Sequence, residues 1–317
     1  MQTMVASVYA ARTVVRRYLA PTPLFHSPRL SSKLGCEVHV KCENLSPIRS
    51  FKARGAIYCL SRLAKDRGGV VCASTGNHGQ GMAFAARQFG RRAVVIVPES
   101  TTEQKIAAMR YFGADLRIAG RNLAEAIALA HRVGADEDLV YVEDGEDLDV
   151  LVGCATLGLE VIEQLPDLDY MFVPVGGGNL IAATSLIVKA LRPDATVVGV
   201  QSAEAPAVYE SWRARRLLNL ERSDTFAGGL ATSYPCGLAF DIIQSSVDDM
   251  VLVPDQDLID AALTMLAEVG QLPEGAGAAG LAALLANPDR CRGRKVVVVL
   301  SGGNFEPVIW SRLQDRA

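Results

Sequence analysis

The sequence predicts an α/β protein built on mostly parallel sheet covered by helices on both faces. The first observation is a set of Val/Ile-rich runs, GVVCAST at 69–75, RAVVIVP at 92–98, TVVGVQSAE at 196–204 and KVVVVLSGGN at 295–304. They are continuous rather than alternating, as strands buried on both faces are. The second is that helix-forming segments of about ten to fifteen residues lie between them, the spacing of crossover units. The third is composition: 317 residues, 50% hydrophobic and 21% charged, hold a substantial core and leave no case for disorder. That length suits one large or two medium domains.

In chain order, residues 4–19 read as a helix ended by Pro21 and Pro23. LSSKLGCEVHVKCEN gives a short helix and then a strand, Glu37 to Glu43. The loop 44–49, with Pro47, leads into Ser50-Phe51-Lys52-Ala53-Arg54-Gly55 and the helix-forming AIYCLSRLAKD. Ser50 is placed to cap that helix, which puts Lys52 in its first turn. From Gly69 to Glu143 four strands alternate with three helices, GQGMAFAARQFG, TEQKIAAMRYFG and NLAEAIALAHRVG, the first two ended by Gly90 and Gly113. This block can form its own sheet. VGCATLGLEVIEQL, YMFVPVGGG, NLIAATSLIVKALRP and TVVGVQSAE continue the alternation. After a less regular stretch, DMVLVP, DLIDAALTMLAEVG, a small-residue helix and KVVVVLSGGN close it. With no repeat, low-complexity run or flexible linker, a second domain is an insertion. Residues 1–60 and 148–317 then form the larger domain and residues 61–147 the smaller.

Several classes of function are excluded. Lys plus Arg is 32 against 35 Asp plus Glu, a net charge of −3 that gives no electrostatic case for nucleic acid. No apolar run reaches the roughly 18 residues of a membrane span. The N-terminus has arginines after its apolar residues, the reverse of a signal peptide, so a cytoplasmic protein is expected. Seven scattered cysteines, without a CxxC pair, argue against a disulfide framework or a thiolate zinc site. They read as buried small hydrophobes in a reducing compartment. The four histidines show no metal-ligand spacing, so no metal is expected.

Five stretches carry chemistry. Lys52 stands beside Phe51 at the positive end of a helix dipole, a setting that favours the neutral amine a Schiff base needs. A solvated surface lysine is the alternative. Gly176-Gly177-Gly178-Asn179-Leu180 follows a strand and opens a helix, where successive glycines turn N–H groups toward one anion. No Gly-Lys-Ser/Thr follows, and Ile181 stands where a dinucleotide fingerprint needs its third glycine, so a tight turn is the competing reading. Ser74-Thr75-Gly76-Asn77-His78-Gly79-Gln80-Gly81 also joins a strand to a helix. Its hydroxyls, amide and N–H groups can hold a carboxylate and a ring hydroxyl, or Ser74 or Thr75 can cap the helix. Leu300-Ser301-Gly302-Gly303-Asn304 ends the most hydrophobic strand, where open α/β sheets bind ligands, or is a plain strand-ending turn. Glu274-Gly275-Ala276-Gly277-Ala278-Ala279-Gly280 lets a helix approach a ligand or another backbone closely.

Taken together, SFKARGA, STGNHGQG, VGGGNL, EGAGAA and LSGGN resemble the motif set of the fold-type II pyridoxal-phosphate enzymes, of the tryptophan synthase beta-like superfamily. Within these the chain resembles the threonine/serine dehydratase and serine racemase branch. PTPLFHSPRLSSKLG fits that branch's opening and TFAGGLA its mid-chain segment, so the likeness covers almost the whole chain. It implies two open, mostly parallel sheets with the smaller domain inserted in the larger. It also implies pyridoxal 5′-phosphate carried on Lys52 as a Schiff base, with Phe51 on one face of the ring and Gly229 on the other. Gly176, Gly177, Gly178 and Asn179 would cradle the phosphate, with Leu180 and Glu274 bordering the cofactor. Asn77 would bond the ring's 3′-oxygen and Ser301 face the pyridine nitrogen. Ser74, Thr75, Gly76, Asn77 and His78 would take the substrate carboxylate. Lys52 is then the base for the α-proton. A neutral serine at the ring nitrogen keeps the electron sink weak and favours expulsion of a β-leaving group.

Four departures from the branch stand out. Asn179 holds the place of a fourth glycine, which alters one amide contact. Thr75 replaces the alanine of dehydratases or the serine that racemases use as a second base. Gly228 replaces the acidic residue of TFADG, leaving a roomier pocket. Gln201, Ala205 and Ala207 stand where some relatives hold a divalent cation, so that site is expected to be absent. The chain also ends soon after LSGGN, so the regulatory domain of biosynthetic threonine dehydratases is not expected.

The reading is a lyase that removes water and ammonia from a β-hydroxy amino acid such as L-threonine or L-serine, working as a homodimer. An amino-acid racemase is the alternative within the fold, and a non-catalytic small-molecule-binding protein the alternative outside it. The segment Tyr234 to Phe240 and the small domain would wall the substrate pocket, and neither spells out the side chain it accepts.

Overall fold

Ten strands form two sheets in the computed structural model, which describes residues 2–220 and 223–314. They are β1 (Leu24–His26), β2 (Glu37–Cys42), β3 (Gly69–Ala73), β4 (Arg92–Val97), β5 (Asp115–Ile118), β6 (Val140–Tyr141), β7 (Tyr170–Pro174), β8 (Thr196–Ser202), β9 (Asp249–Val253) and β10 (Lys295–Leu300). The larger sheet runs β1-β2-β10-β7-β8-β9 and the smaller β5-β4-β3-β6. Only the β1–β2 pairing is antiparallel among those described. The α/β class and the two mostly parallel sheets agree with the sequence, and the smaller sheet is the block that starts at Gly69. β1 was not anticipated, because three residues are too few to show a period.

β10 shows why its run of valines is unbroken. Val297 and Val299 enter the core shared with helices Lys52–Arg62, Leu148–Gln164 and Asn179–Leu191. Val296, Val298 and Leu300 enter the core on the other face, against helices Asp255–Val269 and Gly275–Ala286. Successive side chains point to opposite faces, so burial on both faces demands an apolar residue at every position. In the smaller sheet Val71, Val94 and Ile96 pack on helix Leu123–Asp136. Val70, Cys72, Val95 and Val97 face back into the first core, which therefore spans both sheets.

Helix Lys52–Arg62 lies where the sheets meet, and two contacts fix it. At its crossing with helix Leu148–Gln164 a Cβ on Gly55 would sit 2.6 Å from the Val150 carbonyl oxygen, and one on Gly153 2.6 Å from that of Arg54. Only paired glycines permit that approach. Beside the crossing Arg54 is wholly buried. Its guanidinium donates to Glu43 (Nε–Oε2 2.8 Å, Nη2–Oε1 2.9 Å) and Glu160 (Nη1–Oε1 2.9 Å, Nη2–Oε2 2.8 Å). Lys41 Nζ donates to Glu160 Oε2 at 2.9 Å, the Thr22 carbonyl at 2.8 Å and Gln164 Oε1 at 3.0 Å. Two cations and two carboxylates thus balance out of water. Burial works against the Arg54 cation, but Glu43 and Glu160 outweigh it and raise its pKa. Burial alone would raise the Glu160 carboxyl; Arg54 and Lys41 instead hold it at about 2. Burial lowers the pKa of the Lys41 ammonium despite Glu43 and Glu160.

Two details of the local reading are corrected. The first helix is Gln2–Val15, not 4–19. It loosens when Arg17 and Tyr18 N–H bind the carbonyls of Val14 and Val15 three residues back, well before Pro21. Ser50 is not the N-cap: Phe51 holds that position without a side-chain cap. Ser50 instead sits one residue earlier, bridged to Gly302, with its Oγ 3.5 Å from the Lys52 N–H. Among the described residues no helix is long and apolar enough to cross a membrane, and no group of three or more His, Cys, Asp or Glu could hold a metal.

Glu160→Gln leaves two buried cations facing one carboxylate, and is expected to cost about 3–5 kcal/mol at pH 7 by urea unfolding. The folded pKa of Glu160 lies below its unfolded value of roughly 4.3, so the stability it gives is present above that value. It is lost as pH falls toward 2. The gap between wild type and Glu160→Gln should therefore close between about pH 5 and pH 2.

Candidate active site

The loops that leave β3, β7 and β10 at their C-terminal ends face one cavity of about 500 Å³. Each is rich in small residues, so backbone rather than side chain forms much of its wall. Every residue singled out from the sequence for cofactor or substrate lines this cavity: Phe51, Lys52, Ser74 to His78, Gly176 to Leu180, Gly229, Glu274 and Ser301.

Lys52 is the first residue of its helix. Its Nζ lies 4.8 Å from the centroid of the Phe51 ring and is ion-paired with Asp144. The segment before it is tied to the end of β10, since the Phe51 N–H donates to the Ser301 carbonyl at 3.0 Å. The lysine and the buried Ser301 are thus set by one stretch of backbone.

Gly178, with φ +110, precedes helix Asn179–Leu191, and no side chain caps that helix. Its first-turn N–H donors and positive dipole end therefore open on the cavity. A Cβ on Gly176 would lie 2.3 Å from the Gly229 carbonyl oxygen, so the glycine loop and the TFAGG segment touch backbone to backbone. The loop's other flank is held by Cys236, whose N–H donates to the Gly177 carbonyl at 3.0 Å. Asn179 turns its side chain away from the loop: Nδ2 donates to Asp144 Oδ1 at 2.8 Å, and Oδ1 is buried without a partner.

Asn77 opens helix Asn77–Gln88, which also lacks a capping side chain. Ser74 compensates, its Oγ accepting from the N–H groups of Gly76 at 3.2 Å and Gly79 at 3.1 Å. Asn77 is oriented on both sides. Its Nδ2 donates to Glu274 (2.8 and 3.1 Å), and its Oδ1 accepts from Asn304 Nδ2 at 2.7 Å. Burial, then the charge of Glu306, pushes Glu274 up to about 7, against the Asn77 hydrogen bond. Burial likewise raises Glu306, although its carboxylate accepts from the N–H groups of Gly275 (2.9 Å) and Gly228 (3.3 Å). Burial lowers the pKa of His78, and its Nε2 lies 3.3 Å from the Val142 carbonyl.

Sequence reasoning missed Asp144, Glu306 and Lys105 and gave Asn304, the last residue of LSGGN, no role of its own; all four also line the cavity. Asp144 sits just past a predicted strand, as a ligand-facing residue would, but one acid in YVEDGED does not stand out from its neighbours. Of the expected wall 234–240, Tyr234 lines the cavity, while Cys236 braces the glycine loop and Phe240 is buried in helix Gly237–Ser246. Gln201, Ala205 and Ala207 are buried, and Gln201 Oε1 accepts from the Tyr209 N–H at 2.9 Å.

An amine, an uncapped helix N-terminus lined by glycine, an oriented amide and a neutral serine fit an aldehyde cofactor that carries a phosphate. Comparison with known proteins agrees. The chain belongs to the pyridoxal-phosphate dependent enzymes, whose family model matches residues 15–302. It is 38% identical over 308 residues to an L-threonine ammonia-lyase of Thermotoga maritima, covering 96% of this chain and 77% of that one. The processed form of threonine deaminase isoform 2 from Solanum lycopersicum superposes with a TM-score of 0.94 at 29% identity, covering 99% of this chain and 92% of that one. Maize serine racemase superposes with a TM-score of 0.92 at 26% identity, covering 98% and 97%.

Gly176→Ala drives a methyl group into the Gly229 carbonyl and should cut cofactor affinity at least tenfold, read by titration of the visible band, with the larger sheet intact by circular dichroism. Glu274 gives a separate test. Its folded pKa lies above its unfolded value, so the stability it gives is present below roughly pH 4.3 and is lost as pH rises through about 7. Glu274→Gln has no charge to bury, so its melting temperature should gain on wild type steadily from pH 5 to pH 8.

Proposed function

We propose that this protein is a pyridoxal-phosphate-dependent ammonia-lyase that removes the hydroxyl of a β-hydroxy amino acid, L-threonine or L-serine first among the candidates. The products are a 2-oxo acid and ammonia. The observation that carries the reading is one cavity in which the Lys52 amine shares the wall with an uncapped, glycine-lined helix N-terminus. Likeness to the threonine ammonia-lyase of Thermotoga maritima supports the substrate class.

Pyridoxal phosphate, when bound, supplies an electron-withdrawing ring that acidifies the α-proton of an amine attached to it. Lys52 would hold it through Nζ, and Gly176, Gly177 and Gly178 with the first-turn N–H groups of Asn179 and Leu180 would hold the phosphate. Phe51 and Gly229 would flank the ring and Asn77 would bond its 3′-oxygen, with Glu274 holding the Asn77 amide in place. Ser74 to His78 take the substrate carboxylate at the N-terminus of helix Asn77–Gln88, where the dipole favours an anion. Lys52 Nζ takes the α-proton once it is free. Ser301 would offer the ring nitrogen a neutral hydrogen bond and no proton, a setting that favours loss of the hydroxyl.

Residues 61–147 act in this reading as an inserted domain that brings the carboxylate loop to the larger domain's cofactor site. A cytoplasmic homodimer is the assembly and location that the family resemblance supports.

The test is a visible spectrum of the purified protein, followed by a panel of β-hydroxy amino acids assayed for 2-oxo acid. A yellow protein that forms keto acid is expected. Lys52→Ala should lose the band and at least about 10³-fold in turnover. If the protein is yellow, forms no keto acid and inverts the α-carbon, it is a racemase, and Thr75→Ala should abolish the inversion. A protein that stays colourless with added cofactor sinks the reading.

A further inference from the structure

The carboxylate paired with Lys52 has no part in the chemistry above. Asp144 lies just past β6, in the loop that leads to helix Leu148–Gln164. Several contacts hold it. Its backbone carbonyl accepts from Cys236 Sγ at 3.1 Å, and Asn179 Nδ2 binds its Oδ1 at 2.8 Å. Gly145, with φ +87, lets the loop pass so close to Cys236 that an added Cβ would lie 2.8 Å from the Cys236 Cβ. Cys236 in turn binds the Gly177 carbonyl, so Asp144 is braced against the glycine loop itself. The pair is largely out of water, with side-chain exposures of 14% for Lys52 and 27% for Asp144.

The surroundings leave Lys52 as the cation that answers this carboxylate. His78 is buried and, with its pKa lowered first by burial, neutral at pH 7. Burial pushes Cys72, Cys154 and Cys236 up to about 12, so all three are neutral thiols. Glu143, Glu146 and Asp147 on the same loop add further negative charge. An opposite charge at this range favours the charged form of its partner.

We propose that Asp144 is the positioning residue for Lys52: pinned by Asn179, it holds the lysine as an ammonium beside the glycine loop until the cofactor enters, so loading must break this pair. The inference rests on the lyase reading for the identity of the cofactor. An ammonium has no lone pair. To form the Schiff base, Nζ gives its extra proton to solvent and a C–N bond forms to the aldehyde carbon. The aldehyde oxygen then leaves as water with the two amine hydrogens. The Asn179 substitution thereby gains a role: the side chain at the phosphate loop holds the counter-ion of the reacting amine.

The test uses the cofactor-free protein and acetic anhydride, a neutral reagent that acylates a lysine only in its unprotonated form. A short pulse at pH 7.5 is followed by mass spectrometry of the peptide that contains Lys52, with Lys33 and Lys65 as internal references. Asp144→Asn should raise Lys52 acetylation about tenfold relative to those lysines, because the opposite charge paired with the amine is removed. Asn179→Ala, which frees Asp144 without removing its charge, should give a smaller rise. Uptake of pyridoxal phosphate, followed by growth of the visible band, should be faster in Asp144→Asn as well. Lys52 acetylation that is unchanged or lower in Asp144→Asn, with its circular dichroism native, overturns the proposal. If Asp144→Asn does not fold, Asn179→Ala decides by the same criterion. Wild type that gains no visible band refutes the lyase reading, while the acetylation ratio still decides whether Asp144 holds Lys52.

Discussion

The Arg54 guanidinium, taken out of water between two carboxylates, is the constraint on which the site depends. It reaches Glu43 just after β2 and Glu160 on helix Leu148–Gln164, and it sits two residues beyond Lys52. A buried pair of this kind adds little net stability over apolar residues of the same size, because desolvation offsets the attraction. Its value here is geometric. An apolar side chain tolerates a slide of the helix by part of a turn, whereas a forked guanidinium bidentate to Glu43 does not. The Gly55–Gly153 crossing sets the depth of helix Lys52–Arg62 and Arg54 sets its register. Together they decide where the lysine enters the cavity.

Around that lysine the fold gathers helix N-termini. Helices Lys52–Arg62, Asn77–Gln88, Asn179–Leu191 and Gly275–Ala286 all begin at the cavity wall. Each brings first-turn N–H groups and partial positive charge, a field suited to a phosphate and a carboxylate. Asp144, Glu274 and Glu306 counter it from within the protein. They are not equivalent. Burial alone would raise the Asp144 carboxyl, and Lys52 overcomes it and holds it down. Glu274 stands at the start of a helix, yet burial and then the facing Glu306 push it up, and the charge of Lys105 does not offset them.

Much of this was legible in the sequence, and unevenly. The continuous Val/Ile runs gave the parallel sheets, since a strand buried on both faces has no polar position to offer. The glycine-rich strand ends gave the cavity, since backbone walls need residues without side chains. What stayed hidden depends on contacts between distant segments. Arg54 reads as an ordinary helix residue until Glu43 and Glu160 are seen to meet it. Asp144 reads as one acid among several in a loop. Asn304 closes a stretch that does stand out, LSGGN, but nothing local tells that it fixes Asn77 across 227 positions of sequence. Ser50 misses its cap for a related reason, having the right chemistry but being drawn into a bridge with Gly302, whereas Ser74 does serve the helix after it, accepting from the Gly79 N–H from two residues before Gly76.

The departures from the family pattern also look different in three dimensions. A side chain at position 179 removes no backbone donor, so the glycine loop keeps its first-turn N–H group while the amide goes to Asp144. The missing acid at position 228 is not simply a loss. Glu306 brings a carboxylate to that place from the C-terminal side, accepting from the Gly228 N–H, and Lys105 Nζ lies 3.7 Å from where a Cβ on Gly228 would be. The field of Lys105 acts on both Glu306 and Glu274. The wall therefore keeps an acid opposite this lysine, supplied by a different strand end. Gly228 itself carries no side chain, and the Lys105 ammonium lies beside the space that an aspartate would fill.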